Sequence, residues 1–244
     1  MDKVEELLEK NRPSDIVSAL LGELNDTVAF EEEGHKYSVK DEQGNSRILP
    51  SVTQILSPYA PDLSSIPADI LRNKQQIGLA VHRRAENAES GEGDVLSPFE
   101  ELEVELENEV NPALEGYCQA IDSYMADYES NPSVEYIKEV RLFNPHLMYA
   151  GAADCLSITD KTATLVDYKT VAKINRKQVL LQLTGYYLAL IAIGVGKVVE
   201  VSKKARIVQL KPDGAYQVYD VNITDDAINI FTALTHLHYY FKEG

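Results

Sequence analysis

The spacing of hydrophobic positions divides the chain into helical and extended segments. Apolar side chains that recur every three or four residues predict a helix, whereas alternation with polar side chains predicts a half-buried strand. Helical spacing covers residues 2–24 with a break at Pro13, and then 68–88, 100–111, 112–128, 173–194 and 225–241. Extended patterns cover residues 27–49, 134–143, 149–168, 198–210 and 215–221. This order favours an α/β fold with a helical N-terminal part.

Capping residues, prolines and glycines indicate where the segments begin and end. Ser51 and Thr224 are placed to cap the helices that follow them. The proline- and serine-rich residues 57–67 predict a connecting loop. We expect one domain over residues 1–244, in which 1–67 form N-terminal helices and a β-hairpin extension and 68–244 form the core.

The charge of the chain is strongly negative. Its 244 residues carry a formal net charge of −16, and this sign disfavours extended electrostatic binding to a nucleic acid. A local basic cluster can still hold a bound strand, although solvated helix faces and loops are the plainer interpretation of such clusters. The basic clusters are Arg72/Lys74, Arg83/Arg84, Lys173/Arg176/Lys177 and Lys203/Lys204/Arg206.

Cysteine use and hydropathy indicate an intracellular setting. Cys118 and Cys155 are the only cysteines and are far apart, so they predict neither a disulfide framework nor a zinc or iron–sulfur motif. The acidic N-terminus lacks the pattern of a secretory signal. The longest apolar run, residues 188–195, is too short to span a bilayer. We expect a cytoplasmic protein without membrane association.

The candidate chemistry lies in residues 149–170, YAGAADCLSITDKTATLVDYKT. Asp167 and Lys169 share one face of a strand, and Tyr168 points to the other. If the two runs pair as a hairpin, Asp154 comes close to Asp167. Two carboxylates and the Tyr168 carbonyl are suitable ligands for Mg²⁺, and Lys169 could stabilise negative charge on a phosphodiester. A plain salt bridge between Lys169 and its acidic neighbours is the alternative.

Further candidates flank this hairpin. Gly78, His82 and Glu86 follow one another at single-turn spacing along one helix, and the mid-helix glycine suggests close packing there. A surface or satisfied core histidine is the alternative for His82. Glu139 could face the site from the preceding strand, or could be a solvated strand carboxylate. Gln182 and Tyr186 lie four residues apart on one face of the following helix.

These elements together resemble the PD-(D/E)XK nuclease superfamily, specifically its RecB-like, phage-type exonuclease branch. Residues 151–154 match the Gly-x-x-Asp element of that branch, 167–170 its Asp-x-Lys element, and 182–186 its Gln-x-x-x-Tyr motif. Residues 78–86 resemble the upstream helix whose histidine joins the metal shell. The resemblance covers residues 78–186 and implies a restriction-endonuclease-like core, in which a central mixed β-sheet is flanked by helices.

This resemblance implies that the chain would be a metal-dependent DNA exonuclease. His82, Asp154, Asp167 and the Tyr168 carbonyl would hold Mg²⁺ or Mn²⁺, Lys169 would be catalytic with the two aspartates, and Gln182 and Tyr186 would contact substrate. Glu139 and Glu86 are additional candidates, and no iron–sulfur cluster is expected because the cysteine set of the cluster-bearing members is absent.

The implied partners are DNA, single-stranded or with an end, and recombination or repair proteins of a bacterial cell or phage-infected host. Three other functions stay open on sequence grounds. They are a structure-specific or flap endonuclease, a non-catalytic DNA-binding module that assists recombination, and an acidic interaction protein.

Overall fold

The computed structural model describes residues 11–31, 36–40, 44–87 and 112–242. Six helices lie within these ranges: α1 (Pro13–Thr27), α2 (Val52–Leu56), α3 (Ala68–Asn87), α4 (Pro112–Tyr128), α5 (Arg176–Ala192) and α6 (Asp225–Lys242). The strands there are β1 (Val28–Glu31), β2 (Lys36–Lys40), β3 (Ser46–Leu49), β4 (Glu135–Asn144), β5 (Tyr149–Ile158), β6 (Thr162–Lys169), β7 (Glu200–Val201), β8 (Lys204–Leu210) and β9 (Tyr216–Asn222).

The larger sheet has the strand order β4-β5-β6-β8-β9, with β7 also paired to β6. Strand β6 pairs in parallel with β7 and β8, whereas the other neighbours are antiparallel. The parallel pair requires a long crossover, and α5 supplies it between β6 and β8. The predicted mixed sheet is therefore confirmed.

Helices cover both faces of this sheet. One face carries α1, α2, α5 and α6, which contribute Val17, Ile55, Leu183 and Phe231 to the larger core cluster. The other face carries α3 and α4, whose apolar residues pack against Cys155, Val166 and Tyr168 in a second cluster. Burial of apolar surface on both faces is the main stabilising contribution of such a layered fold.

A second sheet of three antiparallel strands, β1-β2-β3, precedes the larger one. Within the range 27–49 that was expected to be extended, Thr27 belongs to α1 and three strands follow in place of the expected β-hairpin. The predicted turn at Gly34 lies outside the described residues. The Ala150 N–H donates to the Pro50 carbonyl at 3.0 Å, and Ser51 forms a parallel bridge with Ala150. These contacts place the start of α2 beside β5.

Several boundaries can be compared with the sequence pattern. Both predicted caps are confirmed, because the Ser51 and Thr224 hydroxyls accept hydrogen bonds from the backbone of α2 and α6. The single strand expected over 198–210 is wrong. A 3₁₀ turn occupies Val195–Lys197, and Ser202, whose hydroxyl donates to the Lys204 carbonyl, lies between β7 and β8.

The helices expected over residues 2–10 and 100–111 and the loop expected over 90–98 lie outside the described ranges. Among the helices that are described, none combines the length and the apolar character needed to cross a bilayer.

Candidate metal and nuclease site

The two hairpin aspartates lie opposite each other where β5 and β6 separate. The β5–β6 ladder pairs Cys155 with Val166, and continuing that antiparallel register places Asp154 across from Asp167. The Asp154 Oδ2 atom accepts a hydrogen bond from the Tyr168 N–H at 2.6 Å. This contact holds the Asp154 carboxylate against β6 and leaves its Oδ1 atom directed elsewhere.

Glu139 reaches the same place because the backbone of β4 departs from regular strand geometry. Its φ angle is +47°, a left-handed conformation that is unfavourable for a residue with a side chain. The flanking pairs are Lys138–Cys155 and Val140–Ala153, so Glu139 lies opposite Asp154. Cys155 belongs to the core cluster on the α3–α4 face, yet Val140 and Ala153 belong to the opposite cluster. The regular alternation of side chains between the two faces of the sheet is therefore interrupted at Glu139 and Asp154.

His82, on α3, completes a group of three potential metal ligands. Its Nδ1 atom lies 3.3 Å from Asp154 Oδ1 and 3.6 Å from Glu139 Oε1. One ligand atom from each of the three residues lies within 4.8 Å of the others. Carboxylate oxygens suit Mg²⁺ and Mn²⁺, and an imidazole nitrogen is a common ligand for transition metals. The donor set therefore fits a divalent cation.

The charges in this group stabilise one another. Burial by itself would lower the pKa of His82, but the Asp154 carboxylate and hydrogen bonding to Asp154 and Glu139 raise it to about 10. Burial acts in the opposite sense on Asp154, whose pKa is nevertheless lowered by His82, Lys169 and the Tyr168 amide. A cation bound to the imidazole would replace its proton, since histidine coordinates metals in its neutral form.

Asp167 and Lys169 form a buried ion pair beside the three ligands. Lys169 Nζ lies 2.8 Å from Asp167 Oδ1, and the Asp167 side chain is 1% exposed. Within the described part of the chain, its Oδ2 atom is buried and accepts no hydrogen bond. Burial raises the pKa of Asp167 to about 6, and the Asp154 carboxylate adds to that rise. An unsatisfied buried carboxylate oxygen is a further feature that fits a bound cation.

The ion pair keeps Lys169 charged. Burial alone would lower the pKa of the Lys169 amine, but the Asp167 and Asp154 carboxylates raise it above its ordinary value. The amine is therefore a permanent hydrogen-bond donor at neutral pH.

Gln182 and Tyr186 project from α5 into the same space. The Gln182 side-chain amide donates to the Tyr186 hydroxyl at 3.1 Å, as their spacing of four residues permits. A cavity of about 250 Å³ is lined by both of these residues and by His82, Glu139, Asp154 and Lys169. Six predicted site residues therefore meet at one cavity.

The remaining predicted residues are placed differently. Asp167 contacts this group through Lys169, and the Tyr168 carbonyl stays a predicted ligand. Glu86 is exposed and is not part of the cavity lining. At Gly78 an added Cβ would lie 3.7 Å from Thr170 Oγ1, which is an ordinary contact, so the glycine is not required there by tight packing.

Sequence reasoning missed several residues that line the cavity. Ser51, Thr53 and Leu79 all do so. The capping signal at Ser51 locates the start of α2, but the contacts of Pro50 and Ser51 with Ala150, which bring that helix to the site, leave no sequence signal. No sequence signal marks Leu79, which is 52% exposed, as a residue of the cavity wall.

No protein-family model matches the chain, and no curated protein matches it. Among solved structures, one similar chain is LHK-Exo in complex with dAMP, with 11% identity, a TM-score of 0.43, and coverage of 80% of this chain and 88% of that one. Another is an alkaline exonuclease, LHK-Exo, from Laribacter hongkongensis, with 13% identity, a TM-score of 0.34, and coverage of 69% and 96% respectively.

Proposed function

We propose that this chain is a divalent-metal-dependent nuclease that hydrolyses phosphodiester bonds at DNA ends. The observation that carries the proposal is the grouping of His82, Glu139 and Asp154, with ligand atoms within 4.8 Å of one another, in one cavity with Lys169, whose amine pairs with Asp167. Clustered ligands next to a charged amine are what phosphodiester hydrolysis needs.

His82, Glu139 and Asp154 would hold Mg²⁺ or Mn²⁺, with Asp167 Oδ2 and the Tyr168 carbonyl as further ligands. When bound, such an ion supplies an activated water and neutralises charge on the phosphate. Glu139 is thereby added to the set of ligands that the sequence resemblance implies.

The other groups act on the substrate. Lys169 would donate hydrogen bonds to the phosphoryl oxygens, where negative charge develops during hydrolysis. Asp167 holds that amine in place at 2.8 Å. The Gln182 amide, fixed by Tyr186, would orient the sugar–phosphate backbone in the cavity. Together these residues bind and position the scissile group.

The preference for DNA ends is supported by the sequence elements at 151–154, 167–170 and 182–186, which resemble those of RecB-like exonucleases. An endonuclease that cuts flaps would use the same ligands and the same lysine. Substrate topology therefore distinguishes the two modes of cleavage.

The test is incubation of purified protein with labelled linear and circular DNA in Mg²⁺, Mn²⁺ or EDTA. Metal-dependent, stepwise loss of linear but not circular DNA is the expected result. Cleavage of circles would select an endonuclease, and metal-dependent binding without cleavage would select the non-catalytic module. Activity that persists in EDTA, or in both Asp167→Ala and Lys169→Ala, would exclude the metal-nuclease proposal.

A further inference from the structure

A buried charge cluster lies on the face of the larger sheet that α3 and α4 cover, close to the proposed metal ligands. It consists of Glu129, just after α4, with Lys138 on β4 and Tyr168 on β6. We propose that this triad positions His82, Glu139 and Asp154 for metal binding and that the Tyr168 hydroxyl is its central contact. The inference rests on the proposed function.

Each residue of the triad contacts the other two. Lys138 Nζ forms an ion pair with Glu129 Oε2 and lies 2.8 Å from the Tyr168 hydroxyl. That hydroxyl donates to the other Glu129 oxygen at 2.7 Å. The Lys138 and Glu129 side chains are only 3% and 6% exposed. The triad therefore joins β4 to β6 across the intervening strand β5.

A buried ion pair of this kind is weak evidence for stability. Removing two charges from water is costly, and well-packed apolar residues of similar size often serve as well or better. What such a pair can supply is a defined geometry, because each charged group needs its partners in particular places. The sheet is thus held in one arrangement on the face that α3 and α4 cover.

Each of the three proposed ligands either follows a residue of the triad in the chain or contacts one directly. Glu139 directly follows Lys138 in the chain, at the position where the backbone is left-handed. Asp154 accepts a hydrogen bond from the Tyr168 N–H. The His82 ring meets the Tyr168 ring edge-on, with centroids 6.4 Å apart. A shift of the Tyr168 side chain would therefore disturb the relative positions of these ligands.

The critical variant is Tyr168→Phe, which keeps the ring and the backbone N–H and removes only the hydroxyl. Partners that orient metal ligands from outside the coordination shell typically contribute about 10–100-fold to metal affinity. We expect calorimetric titration with Mn²⁺ to give a dissociation constant at least about 10-fold weaker for this variant. Its affinity for DNA in EDTA should equal that of the wild type.

Tyr136→Phe is the matched control. The Tyr136 hydroxyl donates to the Tyr128 carbonyl at 2.6 Å, beside the same end of α4, and the residue lies on β4 without a contact to the three ligands in the described structure. It should lose a comparable hydrogen bond and keep wild-type Mn²⁺ affinity. A purely structural role for Tyr168 would lower thermal stability without changing the Mn²⁺ affinity of folded protein.

The paired replacement Glu129→Gln with Lys138→Met removes both charges together and serves if Tyr168→Phe does not fold. It should show the same weakening of Mn²⁺ binding. If whichever of these variants folds binds Mn²⁺ with wild-type affinity, the triad does not position the metal ligands. If instead the wild type binds no Mn²⁺, or Asp154→Asn binds it equally well, the proposed function itself fails.

Discussion

The Tyr186 ring lies directly over Gly151. A Cβ atom at position 151 would come within 2.8 Å of Tyr186 Cε1 and 3.4 Å of Val52 Cγ2, and the first distance is shorter than real Cβ contacts. Gly151 thus permits α5 and α2 to approach β5 closely enough for Tyr186 to line the cavity. Gly151 therefore has a packing role, beside the metal-binding role that we propose for Asp154.

Gly151→Ala should therefore displace Tyr186 and disturb its hydrogen bond with Gln182. We expect a loss of stability of about 1–3 kcal/mol from overpacking, together with a lower cleavage rate. Thermal unfolding and cleavage of labelled linear DNA measure the two effects.

Gly22→Ala is the control, since a Cβ there meets nothing within 4 Å in the described structure. Gly22 lies at an exposed position in the middle of α1. Alanine there should raise the free energy of unfolding by up to about 1 kcal/mol and leave cleavage unchanged. Full activity and stability in Gly151→Ala would show that the close approach of Tyr186 is dispensable.

Glu139 should show a conflict between stability and function. Glycine has no Cβ penalty at the observed φ of +47°, so Glu139→Gly should relieve about 1 kcal/mol of backbone strain. The same change removes a proposed metal ligand, so Mn²⁺ affinity should fall. Thermal unfolding and Mn²⁺ titration in parallel measure the two effects.

Glu139→Gln separates the two contributions. It keeps the backbone strain but loses the carboxylate charge, so it should bind Mn²⁺ weakly without the gain in stability seen for glycine. Equal melting temperatures for the two variants would argue that the left-handed backbone at this position is not strained.

Breaking the Lys169–Asp167 pair should affect both folding and chemistry. Lys169→Met leaves the Asp167 carboxylate buried without its cation, and losing one partner of such a pair typically costs about 3–5 kcal/mol. We expect lower stability together with loss of cleavage, as measured by chemical denaturation and single-turnover assays.

Lys204→Met tests whether this cost depends on burial. Lys204 pairs with Asp220 at 2.7 Å, but both side chains are well exposed, so the change should cost less than about 1 kcal/mol and leave cleavage intact. Similar losses in the two variants would contradict the buried character of the Lys169 pair.

A basic rim formed by Lys173, Arg176 and Lys177 lies at the start of α5, the helix that carries Gln182. All three are exposed, and the Arg176 guanidinium packs over the Tyr219 ring at 5.3 Å. If the rim holds DNA phosphates, replacing all three with alanine should weaken DNA binding. The slope of log affinity against log salt should become shallower by about 2–3, at roughly 0.7–0.9 per phosphate contact.

The double replacement of Lys203 and Lys204 with alanine is the control for the triple replacement in the basic rim. These residues pair with Asp225 and Asp220, so their charges are already compensated and the salt slope should change little. A slope that responds equally to both sets would mean that general charge, rather than the rim, governs DNA binding.

The sequence predicted the parts of the fold that depend on local patterns. The two extended runs in residues 149–168 correspond to β5 and β6, which pair as a hairpin, and the spacing of Gln182 and Tyr186 places both side chains on one face of α5. These features depend only on the periodicity of side chains along one element, and that periodicity can be recognised from the sequence alone.

The remaining features arise from packing between distant elements. A strand pattern assumes regular alternation, so it could not show that Glu139 adopts a left-handed conformation and turns toward His82. The Lys138–Glu129 pair joins residues on different elements, and the approach of Leu79 to the cavity depends on how α3 packs against the sheet. Such contacts are specified by the whole fold and leave no local signature.

Single-turnover cleavage of linear DNA by wild-type protein and Asp154→Asn across a Mn²⁺ titration tests most directly whether the His82–Glu139–Asp154 group is a catalytic metal site. Asp154 lies between His82 and Tyr168, and the change to asparagine preserves its shape. We expect Mn²⁺-dependent cleavage by the wild type, abolished by EDTA, and at least about a 100-fold slower rate in the variant, in line with the loss of a catalytic electrostatic group. Cleavage by Asp154→Asn at the wild-type rate at every Mn²⁺ concentration would contradict a catalytic metal site there.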